Sequence, residues 1–275
     1  MRNLLIRTAS GAVFLAVFLT ALLWNPVAYC IVFAAVVAIM MYEYHKITLG
    51  GKEKAARVIS LFTGLATFVI SFMVNGYGLD PVWFLIIPVM VTLVFFCILF
   101  SRDKDAYGQA IYTVASVPYI AVPFAMTNWI VFGDDGSFDG IILLAVMIVI
   151  WASDVGAYLF GISFGQKNGH KMCPSISPKK SWEGYFGGLF TSLAAGFVIG
   201  WTDMTAMSWI QWLPLALIVN VTSTLGDLAE SQLKRNFGVK DSGKIMPGHG
   251  GLLDRFDGAL TTFPAVVFYI CLITA

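Results

Sequence analysis

Charged residues are scarce in this sequence, and its few cysteines are not paired. Asp, Glu, Lys and Arg make up 12% of the 275 residues, and the formal net charge is +1. A nucleic-acid-binding domain normally carries a clear basic excess, so this balance argues against nucleic acid as a partner. The four cysteines lie far apart and none belongs to a Cys-x-x-Cys pair, so neither a zinc site nor a disulfide framework is indicated.

Apolar residues, by contrast, make up 58% of the chain, and the mean hydropathy is +0.80. Soluble domains contain about 45–50% apolar residues, and here the apolar residues come in runs long enough to cross a membrane. The first run, 4–24, is long for a signal-peptide core and lacks a clear small-x-small cleavage site, so we expect a retained span. Because backbone amides in lipid need internal hydrogen-bond partners, the expected element is the helix.

We therefore predict an all-α, polytopic integral membrane protein with about nine transmembrane helices. The predicted spans are 4–24, 27–45, 58–76, 82–100, 108–131, 140–163, 185–201, 208–235 and 252–274. We divide the chain into an N-terminal group of about five spans, 1–135, and a C-terminal transmembrane region, 136–275, that carries the candidate chemistry. The second region contains two long polar loops, 163–184 and 236–251.

Basic residues are confined to one side of this predicted topology. All 17 Lys and Arg residues fall on the side of the N-terminus, and none falls in the alternate loops. The positive-inside rule then places the N-terminus in the cytoplasm and the C-terminus on the opposite side. Most tryptophans fall at the outer ends of the spans, as expected of an interfacial aromatic belt. They are Trp24, Trp83, Trp129, Trp201, Trp209 and Trp212.

Polar residues gather where span eight ends and span nine begins. Four residues of span eight are spaced i, i+4, i+7 and i+11, which stacks them on one helix face. They are Ser223, Asp227, Glu230 and Lys234. Span nine opens with Asp254 and Asp257, one turn apart at a helix N-terminus that favours anions. Carboxylates in a membrane helix are costly and normally face a cavity, a partner or a metal.

The three aspartates Asp227, Asp254 and Asp257 form a candidate metal cluster. Carboxylate oxygens are the ligands that Mg²⁺ prefers, and Mg²⁺ leaves sites free for phosphate oxygens. The loop between the two spans adds Lys240, Lys244 and His249, with glycines that let backbone amides approach a ligand closely. The alternative is that these carboxylates only pair with Lys or Arg at the membrane surface.

Part of this stretch resembles a phosphate-binding P-loop. The run GVKDSGK, 238–244, fits the first part of the pattern, but Ile245 replaces the Ser or Thr that would bind Mg²⁺. The pattern also needs a preceding strand and a following helix, and Pro247 disfavours that helix. We therefore reject a P-loop.

A second polar region follows span six. Asp154 lies inside that apolar span and is a functional candidate by default, although an interhelical hydrogen bond or ion pair would also explain it. The run SPKKSWEG supplies the further candidates Ser177, Lys179, Lys180, Ser181 and Glu183. Taken alone, this run also fits a solvated loop in which Ser181 caps the next helix. His45 and His170 have no ligand-like spacing, and we expect both at the surface.

These same residues carry a resemblance to a known family. The run SQLKRNFGVKDSGKIMPGHGGLLDRFD, 231–257, resembles the signature of phosphatidate cytidylyltransferases, also called CDP-diacylglycerol synthases. The blocks SDVGAY, 153–158, and SPKKSWEG, 177–184, are similar to that family's other cytoplasmic segment. Met246 and Ile162 depart from the pattern; at 162 relatives often carry a basic residue, which puts a phosphate contact there in doubt.

The resemblance implies a homodimeric enzyme of the bacterial cytoplasmic membrane with its active site facing the cytoplasm. It implies transfer of CMP from CTP to phosphatidic acid, giving CDP-diacylglycerol and pyrophosphate, with Mg²⁺ and K⁺ as a candidate second cation. Residues matching Asp227 and Asp254 are associated in that family with a metal pair, and Asp257 lies beside them. Membrane lipid is thus both the surroundings and a substrate.

Residue types and resemblance together assign two sets of candidates. The catalytic set is Asp227, Asp254, Asp257, Lys240, Lys244, His249 and Arg255. The substrate-binding set is Asp154, Ser177, Lys179, Lys180, Ser181, Glu183, Ser223, Lys234 and Arg235. A secondary transporter is the alternative from another class, but it should place its charges near the midplane, and here they crowd one interface. A lipid kinase that uses the γ-phosphate of CTP is a second alternative.

Overall fold

The computed structural model describes residues 2–166, 169–246, 248 and 250–274, with side chains from residue 8 onward. The chain folds into two compact units. Unit one comprises Met1–Asp139 and Phe237–Phe256, and unit two comprises Gly140–Asn236 and Asp257–Ala275. Each unit is therefore built from two separate stretches of the sequence. The predicted division into an N-terminal region, 1–135, and a C-terminal catalytic region, 136–275, concerns function and stays a prediction.

Unit one is built mainly from helices. They are α1 (Arg2–Leu23), α2 (Pro26–Leu49), α3 (Lys54–Tyr77), α4 (Ile86–Ile98), α5 (Ala106–Ser116), α6 (Val122–Met126) and α7 (Asn128–Val131). A 3₁₀ turn, Pro81–Leu85, leads into α4. The start of α2 is set locally, because the Asn25 side chain accepts a hydrogen bond from the Ala28 amide at 2.8 Å and Pro26 follows it. Proline suits this position because its missing N–H would be unpaired there in any case.

The core of unit one is aromatic. Phe18, Tyr29, Phe33, Phe68 and Phe124 are all at most 1% exposed. The Tyr29 and Phe33 rings lie 4.4 Å apart, and the Tyr29 hydroxyl is hydrogen-bonded to the Thr127 hydroxyl at 2.7 Å. Aromatic pairs add about 0.5–1.5 kcal/mol beyond the area that they bury, so this cluster fixes how α1, α2 and α3 pack.

The predicted span 108–131 is apolar as expected but not a uniform helix. Helix α5 continues into a π-helical segment, Val117–Ala121, and then into α6 and α7. Pro118 and Pro123 lie in this stretch, and each removes an amide donor from the helical hydrogen-bond pattern. The prolines therefore account for the irregularity.

The position of His45 corrects the sequence analysis. The sequence predicts it at the surface, but it is 2% exposed, and its Nε2 lies 3.0 Å from the Ser116 hydroxyl. The hydroxyls of Ser60 and Ser116 are 3.0 Å apart and extend this buried polar group. A histidine near the end of an apolar span is thus accommodated by hydroxyls of neighbouring helices. His170 is exposed, as expected.

The loop between α4 and α5 is held by charge. Lys52 Nζ donates to Asp103 Oδ2 at 2.6 Å. This hydrogen bond and the charge of the carboxylate raise the pKa of Lys52. The hydrogen bond from Lys52, with further ones from the Asp105 amide and the Gln109 side chain, lowers the pKa of Asp103. Both groups lie outside the apolar helices.

Unit two contains α8 (Ile141–Phe160), α9 (Trp182–Trp201), α10 (Trp209–Asn236) and most of α11 (Leu253–Thr274), with a π-helical segment, Gly161–Gly165, after α8. A short antiparallel hairpin precedes α9, with β1 (Lys171–Cys173) pairing β2 (Ser177–Ser181). The sequence does not predict this hairpin, because 163–184 has no apolar alternation and is typical of a polar loop.

Small residues let the helices of unit two approach closely. A Cβ added to Gly188 would lie 2.9 Å from the Ser153 carbonyl, and one added to Gly184 would lie 2.9 Å from the Ala157 carbonyl. Helices α8 and α9 therefore meet backbone to backbone, as small residues permit in membrane bundles. The Ser153 hydroxyl also donates to Asn220 Oδ1 at 2.9 Å, which ties α8 to α10.

The predicted membrane architecture is confirmed. Within the described residues, eight helical stretches are long and apolar enough to span a bilayer. They are Pro26–Leu49, Lys54–Tyr77, Pro81–Ile98, Ala106–Val131, Ile141–Gly165, Trp182–Trp201, Trp209–Asn236 and Leu253–Thr274. The first predicted span corresponds to α1, whose Thr8–Leu23 portion is apolar but shorter. The predicted orientation of the termini stays a prediction.

Candidate active site

Asp227 and Lys180 form the central ion pair of unit two. Asp227 lies on α10, and its Oδ2 is 2.6 Å from Lys180 Nζ at the end of β2. The other carboxylate oxygen accepts from the Ser231 hydroxyl at 3.3 Å, and Lys180 also approaches the Thr224 carbonyl at 3.4 Å. The Asp227 side chain remains 41% exposed, so this carboxylate is both ordered and reachable.

Asp257 is brought to the same region by a close crossing of α10 and α11. A Cβ added to Gly226 would lie 2.5 Å from the Asp257 carbonyl, and one added to Gly258 would lie 3.1 Å from the Ser223 side chain. The Thr261 hydroxyl donates to the Thr222 carbonyl at 2.7 Å and holds the same contact. Glycines adjoining both aspartates thus explain how the two helices come so near.

The charges around Asp257 are mixed in sign. Its carboxyl group interacts electrostatically with Asp227 and Asp154, which are repulsive, and with Lys234, which is attractive. Asp257 Oδ1 also accepts from the Gly258 amide at 2.7 Å. Two or three carboxylates close together favour a bound cation or proton, because like charges otherwise repel at short range.

The polar face predicted for the end of span eight is present on α10. Lys234 Nζ lies 2.9 Å from Glu230 Oε2, one turn away, and the Glu230 side chain is 0% exposed. Arg235 Nε donates to the Ile176 carbonyl of the hairpin at 3.4 Å. Ser223 is buried, and its hydroxyl donates to the Asn220 carbonyl at 3.4 Å. Ser223 thus lies in the helix crossing, and its assignment to substrate binding stays a prediction.

The hairpin residues differ in what they contact. Ser181 is 3% exposed and accepts from the Gly184 amide at 3.2 Å, which confirms that it caps the following helix. Glu183 Oε1 accepts from the His170 amide at 2.9 Å and lies 3.1 Å from its ring Nδ1. In the hairpin itself, Lys179 is exposed and Ser177 is partly buried in the strand pair; Asp154 is exposed on α8. The hairpin therefore reaches Asp227 through the ion pair of Lys180.

Asp254 lies in unit one, at the start of α11. Its Oδ2 accepts from the backbone amides of Ser242 and Gly251, both at 2.9 Å. The Asp254 amide in turn donates to the Ser242 hydroxyl at 3.3 Å. A carboxylate that accepts from two amides of the preceding loop fixes the shape of that loop. Asp254 is therefore a loop-organising residue in addition to being a candidate ligand.

The segment that precedes α11 is glycine-rich and contains one backbone bridge. Met246 and Gly250 form an isolated antiparallel bridge, with the Met246 amide donating to the Gly250 carbonyl at 3.1 Å. Gly250 has φ +86°, a conformation that other residues adopt only with strain. The helix α10 precedes this segment where a P-loop would need a strand, in agreement with the rejection of that motif.

Glu43 was missed by the sequence reasoning. It lies on α2, is 1% exposed, and its Oε2 accepts from the Leu253 amide at 2.9 Å and from the Ser242 hydroxyl at 3.4 Å. It contacts the same loop that Asp254 organises. A usable signal existed, because Glu43 falls within the predicted span 27–45 and a carboxylate in a span is a functional candidate by the rule applied to Asp154.

The basic candidates of unit one are solvent-facing. Lys240, Lys244 and Arg255 are exposed on the loop and on the first turn of α11. Exposed basic side chains next to loop amides suit a ligand that carries several phosphates. His249 lies outside the described residues, so its predicted role stays a prediction.

The donor set suits a hard cation. The candidate ligands Asp227, Asp254 and Asp257 offer only carboxylate oxygens, the type that Mg²⁺ prefers. In unit two a lysine ammonium already lies 2.6 Å from Asp227, which shows that this position accommodates positive charge. Among the residues that the structure describes, no group of three or more His, Cys, Asp or Glu side chains is arranged to hold a metal ion. The metal assignment therefore stays a prediction.

Comparison with known proteins identifies the family. A model described as the cytidylyltransferase family matches residues 5–273. The chain belongs to this family. A phosphatidate cytidylyltransferase of Staphylococcus haemolyticus (strain JCSC1435) is 32% identical over 270 residues, which cover 94% of this chain and 96% of the relative. The family resemblance inferred from 231–257 is thus confirmed, and with it membership of a transferase family.

Two further relatives align over a shorter region. A phosphatidate cytidylyltransferase of Staphylococcus aureus (strain COL) is 40% identical over 166 residues, and one of Staphylococcus epidermidis (strain ATCC 12228) is 37% identical over 165 residues. Each alignment spans 60% of this chain and 60% of the relative. The alignment with the Staphylococcus haemolyticus protein thus covers nearly the whole of this cytidylyltransferase-family chain. In the alignments with the other two relatives, the chain spans about three-fifths of the relative's length.

Proposed function

We propose that the protein transfers CMP from CTP to phosphatidic acid, producing CDP-diacylglycerol and pyrophosphate. The observation that carries this proposal is the family match over residues 5–273. The ion pair between Asp227 and Lys180 and the neighbouring Asp257 support it, because they place acidic and basic groups together at the polar end of apolar helices. The two proposed substrates need both features: CTP is a charged nucleotide, and phosphatidic acid is a membrane lipid.

In the proposed reaction a phosphate oxygen of phosphatidic acid attacks the α-phosphorus of CTP. The new P–O bond forms as the bond from the α-phosphorus to the α,β-bridging oxygen breaks, and pyrophosphate leaves with that electron pair. The attacking phosphate is ionised at neutral pH, so no strong general base is required. Catalysis then depends on positioning and on neutralising charge.

Several side chains are assigned to charge neutralisation and positioning. Lys180, already ordered against Asp227, is assigned to a phosphate group, as are the exposed basic residues Lys240 and Lys244. Glu183 and Asp254 order the segments that carry these lysines, since each accepts backbone amide hydrogen bonds. His249 and Arg255 are assigned to orienting the loop and to phosphate charge.

Asp227, Asp254 and Asp257 are the residues that would hold Mg²⁺, with K⁺ as a candidate second cation. When bound, such a cation would act as a Lewis acid toward phosphate oxygens. We further propose that the site faces the cytoplasm from a bacterial cytoplasmic membrane and that the protein is a homodimer. The one-sided distribution of the 17 basic residues supports the cytoplasmic orientation of the site. The homodimer is proposed from the family resemblance alone.

The test is nucleotide-dependent pyrophosphate release by the purified protein. With phosphatidic acid and each of the four ribonucleoside triphosphates in turn, we expect pyrophosphate with CTP and much less with the others. Label in the α-phosphate of CTP should appear in lipid, and label in the γ-phosphate should not. Lipid labelled from the γ-phosphate would instead identify a CTP-dependent lipid kinase and overturn the proposal.

A further inference from the structure

Glu43 is a carboxylate buried in unit one beneath the loop that precedes α11. Its residue is 1% exposed although it lies on an apolar helix. Burying a carboxylate is costly unless it is well paired, and an apolar side chain at this position would avoid that cost. The contacts of Glu43 must therefore account for its presence.

The hydrogen bonds and the charge interaction of Glu43 involve the end of the preceding loop and the start of α11. Glu43 Oε2 accepts from the Leu253 amide at 2.9 Å, at the first residue of α11, and from the Ser242 hydroxyl at 3.4 Å. Asp254 accepts from the Ser242 amide, so Ser242 links the two carboxylates. Glu43 also interacts electrostatically with Asp254.

Two glycines show how closely the loop is seated on Glu43. A Cβ added to Gly251 would lie 2.7 Å from Glu43 Oε2 and 2.6 Å from the Gly243 amide nitrogen, and one added to Gly243 would overlap Glu43 Oε1. The Glu43 carboxyl group also takes a backbone hydrogen bond from Leu252, next to that from Leu253. The carboxyl group is therefore engaged with the backbone on both sides of the start of α11, which points to a role beyond packing.

We infer that Glu43 is a positioning residue for the reaction: it holds Ser242, Gly243 and the first turn of α11 in the arrangement that presents Asp254 and the neighbouring Lys240 and Lys244 to the nucleotide. This inference rests on the proposed function for the identity of the nucleotide. The hydrogen-bond geometry that carries it does not depend on that function. Glu43 itself contacts the loop backbone rather than the substrate.

The test compares Glu43→Gln with Tyr29→Phe in the purified full-length protein. Both changes lie on α2, both are nearly isosteric, and Tyr29→Phe removes a buried hydrogen bond to Thr127 remote from the loop in sequence. Hydrogen–deuterium exchange is measured on peptides covering 241–255, and KM and kcat are measured for CTP. For Glu43→Gln we expect faster exchange in 241–255 and a rise in KM for CTP of about tenfold, equivalent to about 1.4 kcal/mol.

Each outcome decides the inference. Tyr29→Phe should leave both readouts near those of the wild-type protein. Unchanged exchange in both Glu43→Gln and Glu43→Ala would overturn the positioning role, and faster exchange with unaltered kinetics would overturn its link to the reaction. If the wild-type protein showed no CTP-dependent turnover, the proposed function would fail while the exchange result still tested the loop. Restoration of exchange and KM towards wild type in Glu43→Asp, relative to Glu43→Ala, would support the requirement for a carboxyl group.

Discussion

At the scale of single residues, adjacent candidates have very different surroundings. Lys179 and Lys180 are neighbours in β2, yet Lys179 is exposed whereas Lys180 Nζ lies 2.6 Å from Asp227. Alternation along a strand sends successive side chains to opposite faces, which explains the difference. The two lysines therefore form a matched pair for testing the proposed site.

Lys180→Gln should lower kcat/KM for CTP at least about tenfold more than Lys179→Gln, because Lys180 is ordered against a candidate aspartate whereas Lys179 is exposed. The scale follows from charge-assisted hydrogen bonds, which contribute about 1.5–3 kcal/mol. Steady-state kinetics on both variants provide the measurement. Equal losses in the two variants would indicate general attraction of phosphate instead of a specific contact.

Asp227→Asn should reduce CDP-diacylglycerol formation by at least about 100-fold, the scale expected for losing one preorganised electrostatic group at a reacting centre. Substitution keeps the size of the side chain but removes its charge, so Lys180 loses its ionic partner. Product is quantified by lipid chromatography with labelled CTP.

The control for this experiment is Asp134→Asn. Asp134 is exposed in a loop of unit one, and it is outside the candidate set. Its activity should match that of the wild-type protein. Near-normal activity in Asp227→Asn would remove Asp227 from the metal assignment.

At the scale of elements, the crossing of α10 and α11 determines where Asp257 lies relative to Asp227. Gly226 and Gly258 leave no room for side chains between the two helices. In membrane bundles such small residues allow close backbone approach. The geometry of the carboxylates is therefore a property of the helix pair as much as of the aspartates themselves.

Gly226→Ala should destabilise the protein by about 1–3 kcal/mol, because its Cβ would lie 2.5 Å from the Asp257 carbonyl and would overlap the Thr261 hydroxyl. Activity should fall with it. Gly161→Ala is the control, since its Cβ would lie at an ordinary van der Waals distance, 3.8 Å, from the Gly184 Cα. The melting temperatures of the two variants are measured by thermal unfolding in detergent. Equal melting temperatures for Gly226→Ala and Gly161→Ala would contradict the close crossing.

The sequence predicted these elements to different degrees. Helices such as α2 and α3 were predictable because a run of about 18 or more mainly apolar residues is typical of a membrane-spanning helix. The hairpin, 171–181, was not, because its pairing depends on contacts with neighbouring segments more than on an apolar pattern. The π-helical segment Val117–Ala121 was not predicted either, and Pro118 and Pro123 account for it locally.

The candidate site was predictable in part, for a related reason. Asp227 and Lys234 were found because helical spacing places them on one face. Glu43 could have been singled out as a carboxylate in a predicted span, but its role could not, because its partners Ser242 and Leu253 are about 200 residues away in sequence. Long-range contacts of this kind become visible only in the folded structure.

At the scale of the whole molecule, the predicted topology makes a direct test possible. Lys104 and Asp134 are both exposed in loops of unit one, and the helical stretch Ala106–Val131 lies between them. If that stretch spans the bilayer, the two loops lie on opposite sides. The positive-inside rule assigns the Lys104 loop to the cytoplasm.

Single cysteines at these two positions, in a protein whose four native cysteines are replaced, should label oppositely with a membrane-impermeant maleimide. In intact cells or right-side-out vesicles we expect labelling of Asp134→Cys and protection of Lys104→Cys. Inverted vesicles should reverse the pattern. The opposite result would invert the predicted orientation, and labelling of both positions from one side would contradict the span.

The two-segment composition of unit one has a consequence for biosynthesis. Residues 140–236 of unit two are made before the segment 237–256 that completes unit one. At about 5–20 residues per second, the ribosome needs roughly 5–20 s to cover that interval. During this time Glu43 is already in the nascent chain without the Leu253 amide and the Ser242 hydroxyl. The unit that contains the first helices to be translated therefore stays incomplete until most of the other unit has been made.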